Sequence, residues 1–397
     1  MKALSVKNCA IEESMTLAIT AKAKQLKANG IDIVSFGAGE PDFNTPKNIR
    51  DFAIARIEKG GNGYTEASGL LDLKKAVCNK LLNDNQLTYS PKQIVVSSGA
   101  KHSLFNALQA ICNPGDEVII PSPYWVSYYE LAKMSDAEPV LVSSEASNYF
   151  KVTVDQLEAA VTNKTKALML NSPNNPTGAV YTEDELRAIG AFATKHDLYI
   201  ISDEIYEKLV YGEKHISIAS LSQDLYERTI VVNGLSKAYA MTGWRIGYTA
   251  SSETIANIMS NVQSHATSNP NTIAQYAGIE ALNGDQTAIE EMRVAFEERK
   301  DFMVETIGKM PHVTCVEPKG AFYVMMDVSH FNGKTIDGTV IKGSLDFAAV
   351  LLEKANVAVI PGIAFGVDEY IRLSYATSMA NIEEGLRRIH DFCVNNG

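Results

Sequence analysis

The sequence of 397 residues lacks several features that would assign it to particular classes of protein. It has no apolar run of the roughly eighteen residues that a membrane-spanning helix needs. Lys and Arg total 36 against 47 Asp and Glu, and this net charge of −11 argues against nucleic acid or an anionic membrane surface as the main partner. Fixed-period repeats and low-complexity tracts are also missing. The remaining composition, 46% hydrophobic and 21% charged, is that of a globular protein whose expected partners are small molecules.

Cysteine is scarce and scattered along the chain. The five cysteines are odd in number and include no C-x-x-C spacing, so neither a disulfide framework nor a metal site is predicted. Lys2 and Lys7 are not followed by an apolar stretch, so no export signal is expected. Together these features favour a cytoplasmic location.

The order of predicted elements indicates an α/β protein with two domains. Between residues 93 and 232, apolar strands alternate with amphipathic segments, which predicts a mostly parallel sheet flanked by helices. After residue 283 the pattern changes to a long charged helix, three strand-like runs (313–316, 322–328 and 357–360) and a final helix, which predicts a smaller α+β unit. We expect a large domain over residues 47–290 and a small domain over 291–397. Residues 1–46 are expected to form an N-terminal arm and helix that join the small domain.

A lysine and a carboxylate lie at the ends of two predicted strands. Lys237 is flanked by small residues and followed eight positions later by Arg245, which suits a Schiff-base lysine beside an anion clamp, although a surface lysine in a turn would explain it too. Asp203 and Tyr206 end an apolar strand, so the carboxylate is expected to be partly buried and to need a cationic partner. A protonated pyridine nitrogen would serve.

Two further segments point to the same chemistry. Residues 171–178, which include Asn175, form a turn rich in amides that could hydrogen-bond a phenolic ring oxygen, although turn chemistry alone explains some such segments. Arg372 lies inside a strand pattern, where burial requires a carboxylate on its planar fork. A substrate carboxylate would satisfy it.

Taken together, these segments resemble the class I aminotransferases of the pyridoxal-phosphate fold type I superfamily, and most closely the bacterial aspartate aminotransferases of its Ib subgroup. The likeness runs from residues 37–43 to residues 372–376 in the family's order. It implies a large pyridoxal 5'-phosphate-binding domain, a smaller α+β domain, and amino transfer from L-aspartate to 2-oxoglutarate that yields oxaloacetate and L-glutamate.

The resemblance also implies roles for individual residues. Lys237 would hold the cofactor covalently and then, as a free amine, move a proton between the substrate Cα and C4′ of the cofactor. Asp203 would keep the pyridine nitrogen protonated. Tyr206 and Asn175 would hydrogen-bond the ring oxygen, and Trp125 would stack on the face of the ring.

The cofactor phosphate is expected at a helix start, where free backbone N–H groups favour an anion. Its contacts by resemblance are Gly99, Ala100, Lys101, Ser236 and Arg245. Within the Ib subgroup a lysine at the position of Lys101 replaces the arginine that binds the distal substrate carboxylate elsewhere, which would turn Lys101 toward substrate. The other substrate contacts implied by resemblance are Gly39, Trp125, Asn175 and Arg372.

Tyr64 matches a tyrosine that reaches the phosphate of the neighbouring subunit, which implies a homodimer with shared active sites. Residues 12–14 are Glu-Glu-Ser where members that accept prephenate carry Lys-Pro-Ser, so prephenate activity is not expected. Two other enzyme activities on the same scaffold stay open, a carbon–sulfur β-lyase and an aromatic aminotransferase. A sensor domain fused to a DNA-binding module lacks the basic helix-turn-helix segment that it would need.

Overall fold

The computed structural model describes residues 1–397 and contains fourteen α-helices and fifteen β-strands. The helices are α1 Val6–Cys9, α2 Met15–Ala28, α3 Lys47–Lys59, α4 Leu71–Asn85, α5 Ala100–Ile111, α6 Ser127–Met134, α7 Val154–Ala160, α8 Glu183–Lys195, α9 Gln223–Arg228, α10 Glu253–Ala266, α11 Thr272–Asn283, α12 Thr287–Ile307, α13 Ser344–Ala355 and α14 Met379–Asn396. The strands are β1 Val34–Ser35, β2 Ile94–Ser97, β3 Glu117–Ser122, β4 Glu138–Ser143, β5 Thr165–Asn171, β6 Tyr199–Asp203, β7 Thr229–Gly234, β8 Gly247–Ala250, β9 Thr314–Cys315, β10 Tyr323–Asp327, β11 Thr335–Ile336, β12 Thr339–Val340, β13 Val357–Ala358, β14 Ile360–Pro361 and β15 Tyr370–Ser374. None of the helices combines the length and low polarity that crossing a bilayer requires.

A seven-stranded sheet in the order β2-β8-β7-β6-β5-β3-β4 forms the centre of the large unit. The neighbours from β4 to β7 are parallel, which confirms the mostly parallel sheet predicted from the alternating pattern. Strand β8 was not predicted, and it runs antiparallel to both β2 and β7. Its four residues, Gly-Tyr-Thr-Ala, carry too little apolar pattern to be distinguished from the loop before them.

Helices cover both faces of this sheet because alternate strand residues point to opposite sides. On one face, residues such as Val118 and Met169 pack against α5 and α10. On the other face, residues such as Ile119 and Leu168 pack against α8. Helices α10 and α11 were not assigned from the sequence. In α11 the buried face consists of alanines, glycine and glutamine, so its contrast with the exposed face is weak.

The smaller unit has a four-stranded antiparallel sheet in the order β14-β15-β10-β9. The predicted strand over residues 357–360 is divided in two: β13 pairs in parallel with β1, and β14 pairs with β15. The pairing of β13 with β1 attaches the N-terminal segment to this unit.

One hydrophobic core joins the two units. Ile205 and Tyr206, which follow β6 of the large sheet, belong to the same cluster of buried side chains as Phe322 and Tyr375 of the smaller unit. The segment that follows β6 therefore packs against the smaller unit, and the candidate site lies where the two units meet.

Candidate active site

A cavity of about 710 Å³ lies between the carboxyl ends of the parallel strands and the smaller unit. Eleven of the residues singled out from the sequence line it: Gly39, Ala100, Lys101, Trp125, Asn175, Asp203, Tyr206, Ser236, Lys237, Arg245 and Arg372. Gly99 directly precedes Ala100 at the start of α5. Tyr64 lies outside the cavity, and its side chain is 93% exposed.

Lys237 lies in the turn that follows β7, with its amine inside the cavity. Its Nζ donates a hydrogen bond to the carbonyl of Gly39 at 2.6 Å and lies 5.9 Å from the ring centroid of Tyr206. Burial lowers the pKa of Lys237 to about 8; the Glu40 carboxylate acts in the opposite direction. An amine with this pKa is substantially neutral at mildly alkaline pH, so it can act as a nucleophile and accept a proton.

Asp203 is the last residue of β6 and is 2% exposed. One carboxylate oxygen accepts a hydrogen bond from the hydroxyl of Tyr128 at 2.7 Å, and the other accepts from the backbone N–H of Ile205 at 3.2 Å. Burial raises the pKa of Asp203 to about 6 in spite of these two bonds. No Lys or Arg forms a salt bridge with it, so a cationic group from a ligand would find an uncompensated buried carboxylate.

Arg372, in β15, is a buried cation without an anionic partner. Its Nη1 donates to the side-chain oxygen of Asn175 at 2.9 Å, and its Nε has no hydrogen-bond partner. The rings of Tyr323 and Phe365 lie under the guanidinium, with centroids at 4.2 and 4.9 Å. Because the chain itself supplies no carboxylate to the fork, this is the position for a carboxylate from a ligand.

At the start of α5, Gly99 and Arg245 form a concave site suited to an anion, which we call the anion cradle. The φ of Gly99, +87°, lies in the left-handed region, and a Cβ there would overlap the guanidinium of Arg245. A Cβ on Gly247 of the adjacent strand would likewise overlap the backbone nitrogen of Ala100. The Arg245 guanidinium is held by the carbonyls of Ser98 and Thr242 at 3.3 and 3.0 Å. Free N–H groups and an arginine at one helix start favour a phosphate.

Aromatic rings close the sides of the cavity. The Nζ of Lys101 lies 4.8 Å from the ring centroid of Trp125, so these two residues form one wall. Burial, and to a lesser extent Arg245, lowers the pKa of Lys101. The hydroxyl of Tyr206 lies 3.0 Å from that of Tyr323.

Tyr128 and Tyr323 line the cavity but were missed in the sequence analysis. Tyr128 stands three positions after Trp125, at the start of α6, so the helical spacing was a usable signal. Tyr323 pairs with Ser374 across the small sheet, two positions from Arg372, and only the strand register brings it to the site.

The residues present fit pyridoxal phosphate. The cradle at Gly99 and Arg245 suits the phosphate, Asp203 suits a protonated ring nitrogen, and the Lys237 amine suits the aldehyde carbon. The unpartnered Nε of Arg372 leaves a binding position for the carboxylate of an amino acid.

Comparison with known proteins agrees with a site for pyridoxal phosphate and an amino acid. The model of the family "Aminotransferase class I and II" matches residues 31–389. An aspartate aminotransferase from Bacillus sp. (strain YM-2) is 51% identical over 380 residues, which cover 96% of this chain and 96% of that protein. The crystal structure of an aspartate aminotransferase from Rhizobium meliloti has a TM-score of 0.96 and 41% identity over 100% of both chains. The Thermus thermophilus aspartate aminotransferase with maleate has a TM-score of 0.93 and 40% identity over 98% of this chain and 100% of that one.

Proposed function

The chain belongs to the class I and II aminotransferases, and we propose that it transfers the amino group of L-aspartate to 2-oxoglutarate, giving oxaloacetate and L-glutamate. It is a pyridoxal-phosphate-dependent enzyme of fold type I, as the resemblance in the sequence implied. The observation that carries the proposal is the buried Arg372 fork with no carboxylate of its own, in the same cavity as Lys237 and Asp203. A panel of amino donors with 2-oxoglutarate, with kcat/KM for each, tests it directly.

Bound pyridoxal phosphate supplies an electron sink for the negative charge that develops at the Cα of an amino acid. Arg372 would hold the α-carboxylate in the same cavity as the Lys237 amine and so orient the amino acid toward that amine. Lys237, as a free amine with a lowered pKa, would accept the proton from Cα and deliver it to C4′ of the cofactor. Asp203 would hold the proton on the ring nitrogen, and the Tyr206 hydroxyl would donate a hydrogen bond to the ring oxygen.

The distal carboxylate of aspartate is proposed to meet Lys101. This side chain lies at the cavity wall beside Trp125, and the fork of Arg372 is already assigned to the α-carboxylate. The neighbour from Thermus thermophilus was solved with maleate, a dicarboxylate, which supports a site for two carboxylates.

Lys101→Ala is expected to lower kcat/KM for aspartate by roughly 10- to 100-fold, because it removes one charge-assisted hydrogen bond in a closed site. A neutral aromatic donor has no distal carboxylate, so its kcat/KM is expected to stay the same or rise. Steady-state assays with both donors measure the difference. Lys92→Ala, on a lysine outside the cavity, is the matched control. An equal fall for both donors would make Lys101 a phosphate or structural lysine instead.

Two other activities on this scaffold remain as alternatives. A carbon–sulfur β-lyase would release pyruvate from cystathionine without an oxoacid acceptor, whereas the proposed transferase would not. An aromatic aminotransferase would show a higher kcat/KM for phenylalanine or tyrosine than for aspartate. The Bacillus sp. (strain YM-2) relative is an aspartate aminotransferase, which favours aspartate as the amino donor.

We further propose a homodimer with shared active sites, working in the cytoplasm. Tyr64 is 93% exposed and lies outside the cavity of its own chain, which supports a role in the active site of a second copy. Helix α3, which precedes Tyr64 in the chain, also exposes apolar side chains, among them Ile54 and Ile57, and these are available for contact with a second copy. Five cysteines without a disulfide are compatible with a reducing compartment.

Tyr64→Phe is expected to weaken binding of pyridoxal phosphate by about tenfold or more, because a hydrogen bond to a charged phosphate is lost. The dissociation constant is measured by titrating the apoprotein with the cofactor, and sedimentation velocity reports the oligomeric state. Tyr149→Phe, another exposed tyrosine outside the cavity, serves as the control. An unchanged affinity in a dimeric protein would remove Tyr64 from the phosphate site.

A further inference from the structure

Tyr128 is a buried side chain that forms a hydrogen bond with Asp203. Its hydroxyl donates to one oxygen of that carboxylate at 2.7 Å, and this is its only hydrogen bond. Its ring also meets the ring of Trp125 edge to face, with centroids 5.4 Å apart and an interplanar angle of 86°. Tyr128 thus contacts the residue assigned to the ring nitrogen of the cofactor and the residue assigned to the ring face.

We propose that Tyr128 is a positioning residue that keeps the Asp203 carboxylate ionised, so that the shared proton stays on the ring nitrogen of the cofactor. This inference rests on the proposed placement of the cofactor ring against Asp203. Tyr128 packs in the hydrophobic core beside α5, and this packing alone would not require its hydroxyl. The proposal gives that hydroxyl a role in the reaction.

The charges around Asp203 explain why such a donor is needed. Burial and the neighbouring Glu204 carboxylate both raise the pKa of Asp203, whereas the Tyr128 hydroxyl, the Ile205 N–H and Lys237 lower it. The Tyr206 hydroxyl is a further titratable group in the same buried region, and Tyr323 and Arg372 lie next to it. Once Lys237 is bound covalently to the cofactor, it no longer carries a free ammonium group that lowers the pKa of Asp203. The hydroxyl of Tyr128 is then the strongest remaining side-chain donor to this carboxylate.

Tyr128 itself remains protonated throughout the working pH range. Burial, followed by the adjacent Asp203 charge, raises the pKa of its hydroxyl far above the usual value. The hydroxyl therefore donates in every state, and a charge-assisted hydrogen bond of this length stabilises the anion more than the neutral acid.

Without that bond the proton balance changes. Asp203 and the ring nitrogen compete for one proton, and the stronger base holds it. Loss of the Tyr128 hydrogen bond, which stabilises the anion, raises the pKa of Asp203 and makes its carboxylate a stronger base toward the shared proton. The proton then moves from the ring nitrogen to the carboxylate oxygen, no other bond changes, and the ring becomes a weaker acceptor of negative charge.

Tyr128→Phe tests the proposal in the holoenzyme because it removes only the hydroxyl. With [15N]pyridoxal phosphate bound, the nitrogen resonance of the wild type is expected at the position of a protonated pyridine, and that of the variant is expected to shift toward the unprotonated position. The kcat is expected to fall roughly 10- to 100-fold with little change in KM. Tyr181→Phe, which removes another buried hydroxyl that accepts from the Val152 N–H, is the matched control and is expected to show neither change.

Tyr128→His is a second test variant, because an imidazole N–H can replace the phenol as a hydrogen-bond donor. In this variant, partial return of the cofactor nitrogen resonance to the wild-type position would support the proposal. Thermal unfolding of each holoprotein separates lost folding from a changed proton position. A folded Tyr128→Phe variant with the wild-type resonance and kcat would overturn the inference. An unprotonated nitrogen already in the wild type would instead contradict the proposed role of Asp203.

Discussion

Lys237→Ala is expected to stop amino transfer almost completely, with kcat lowered by about 10⁴-fold or more. The Lys237 amine donates a hydrogen bond to the Gly39 carbonyl, and the charges of Asp203 and Arg372 both act on it. Lys101, another lysine that lines the cavity, lies over the ring of Trp125 and is assigned to the distal carboxylate of the substrate, so it is not expected to replace Lys237. The variant is expected to bind pyridoxal phosphate without a covalent bond.

Two measurements check this expectation independently of turnover. Borohydride reduction of the wild-type holoprotein followed by peptide mapping should place the pyridoxyl group on Lys237, and no peptide of the variant should carry it. In the apoprotein, an amine reagent should modify Lys237 with a midpoint near pH 8, because burial lowers its pKa to about that value. A pyridoxyl group on another lysine would contradict the assignment. Lys101→Ala is the matched control, since it removes a cavity lysine but leaves the covalent site intact.

The sequence could predict the part of the site that follows directly from strand order. Asn175 and Asp203 come just after or at the ends of β5 and β6, and Lys237 follows β7, so consecutive parallel strands bring them to one edge of the sheet. Arg372 was predictable as a functional residue because an arginine within an apolar strand needs an anion.

The rest of the site depends on features with no periodic signal. Tyr323 reaches Tyr206 only because β10 pairs with β15 and because the two units share one core. The close approach of Gly99 to Arg245 requires the unpredicted strand β8, which pairs with β2 through Ser97 and Gly247. Pairing between segments that are about 150 residues apart is set by packing of the whole sheet, and local pattern carries little information about it.

Asp203→Asn is expected to lower kcat by about 10³-fold, because a neutral amide cannot hold a proton on the ring nitrogen when negative charge develops in the substrate. Glu204→Gln is the matched control. It removes a buried charge one residue further along, but the Glu204 carboxylate is bound by Ser202, Ser217 and His215 and does not line the cavity. Near-normal turnover in Asp203→Asn, or an equal loss in Glu204→Gln, would contradict the assigned role.

Asp203→Asn is also expected to stabilise the apoprotein at neutral and alkaline pH. In the folded chain burial raises the pKa of Asp203 from its ordinary value of 3.8 to about 6, so ionisation opposes folding by roughly 3 kcal/mol above pH 6. Below about pH 4 the carboxyl is protonated in both folded and unfolded chains, and this penalty disappears. Asparagine carries no charge to desolvate, and its oxygen can still accept from Tyr128. Urea unfolding of the apoproteins at pH 5 and pH 8 should therefore show that Asp203→Asn gains more stability over wild type at pH 8. The Asp203 carboxylate would then destabilise the apoprotein although the reaction requires it. Its presence is therefore explained by its chemistry and not by stability.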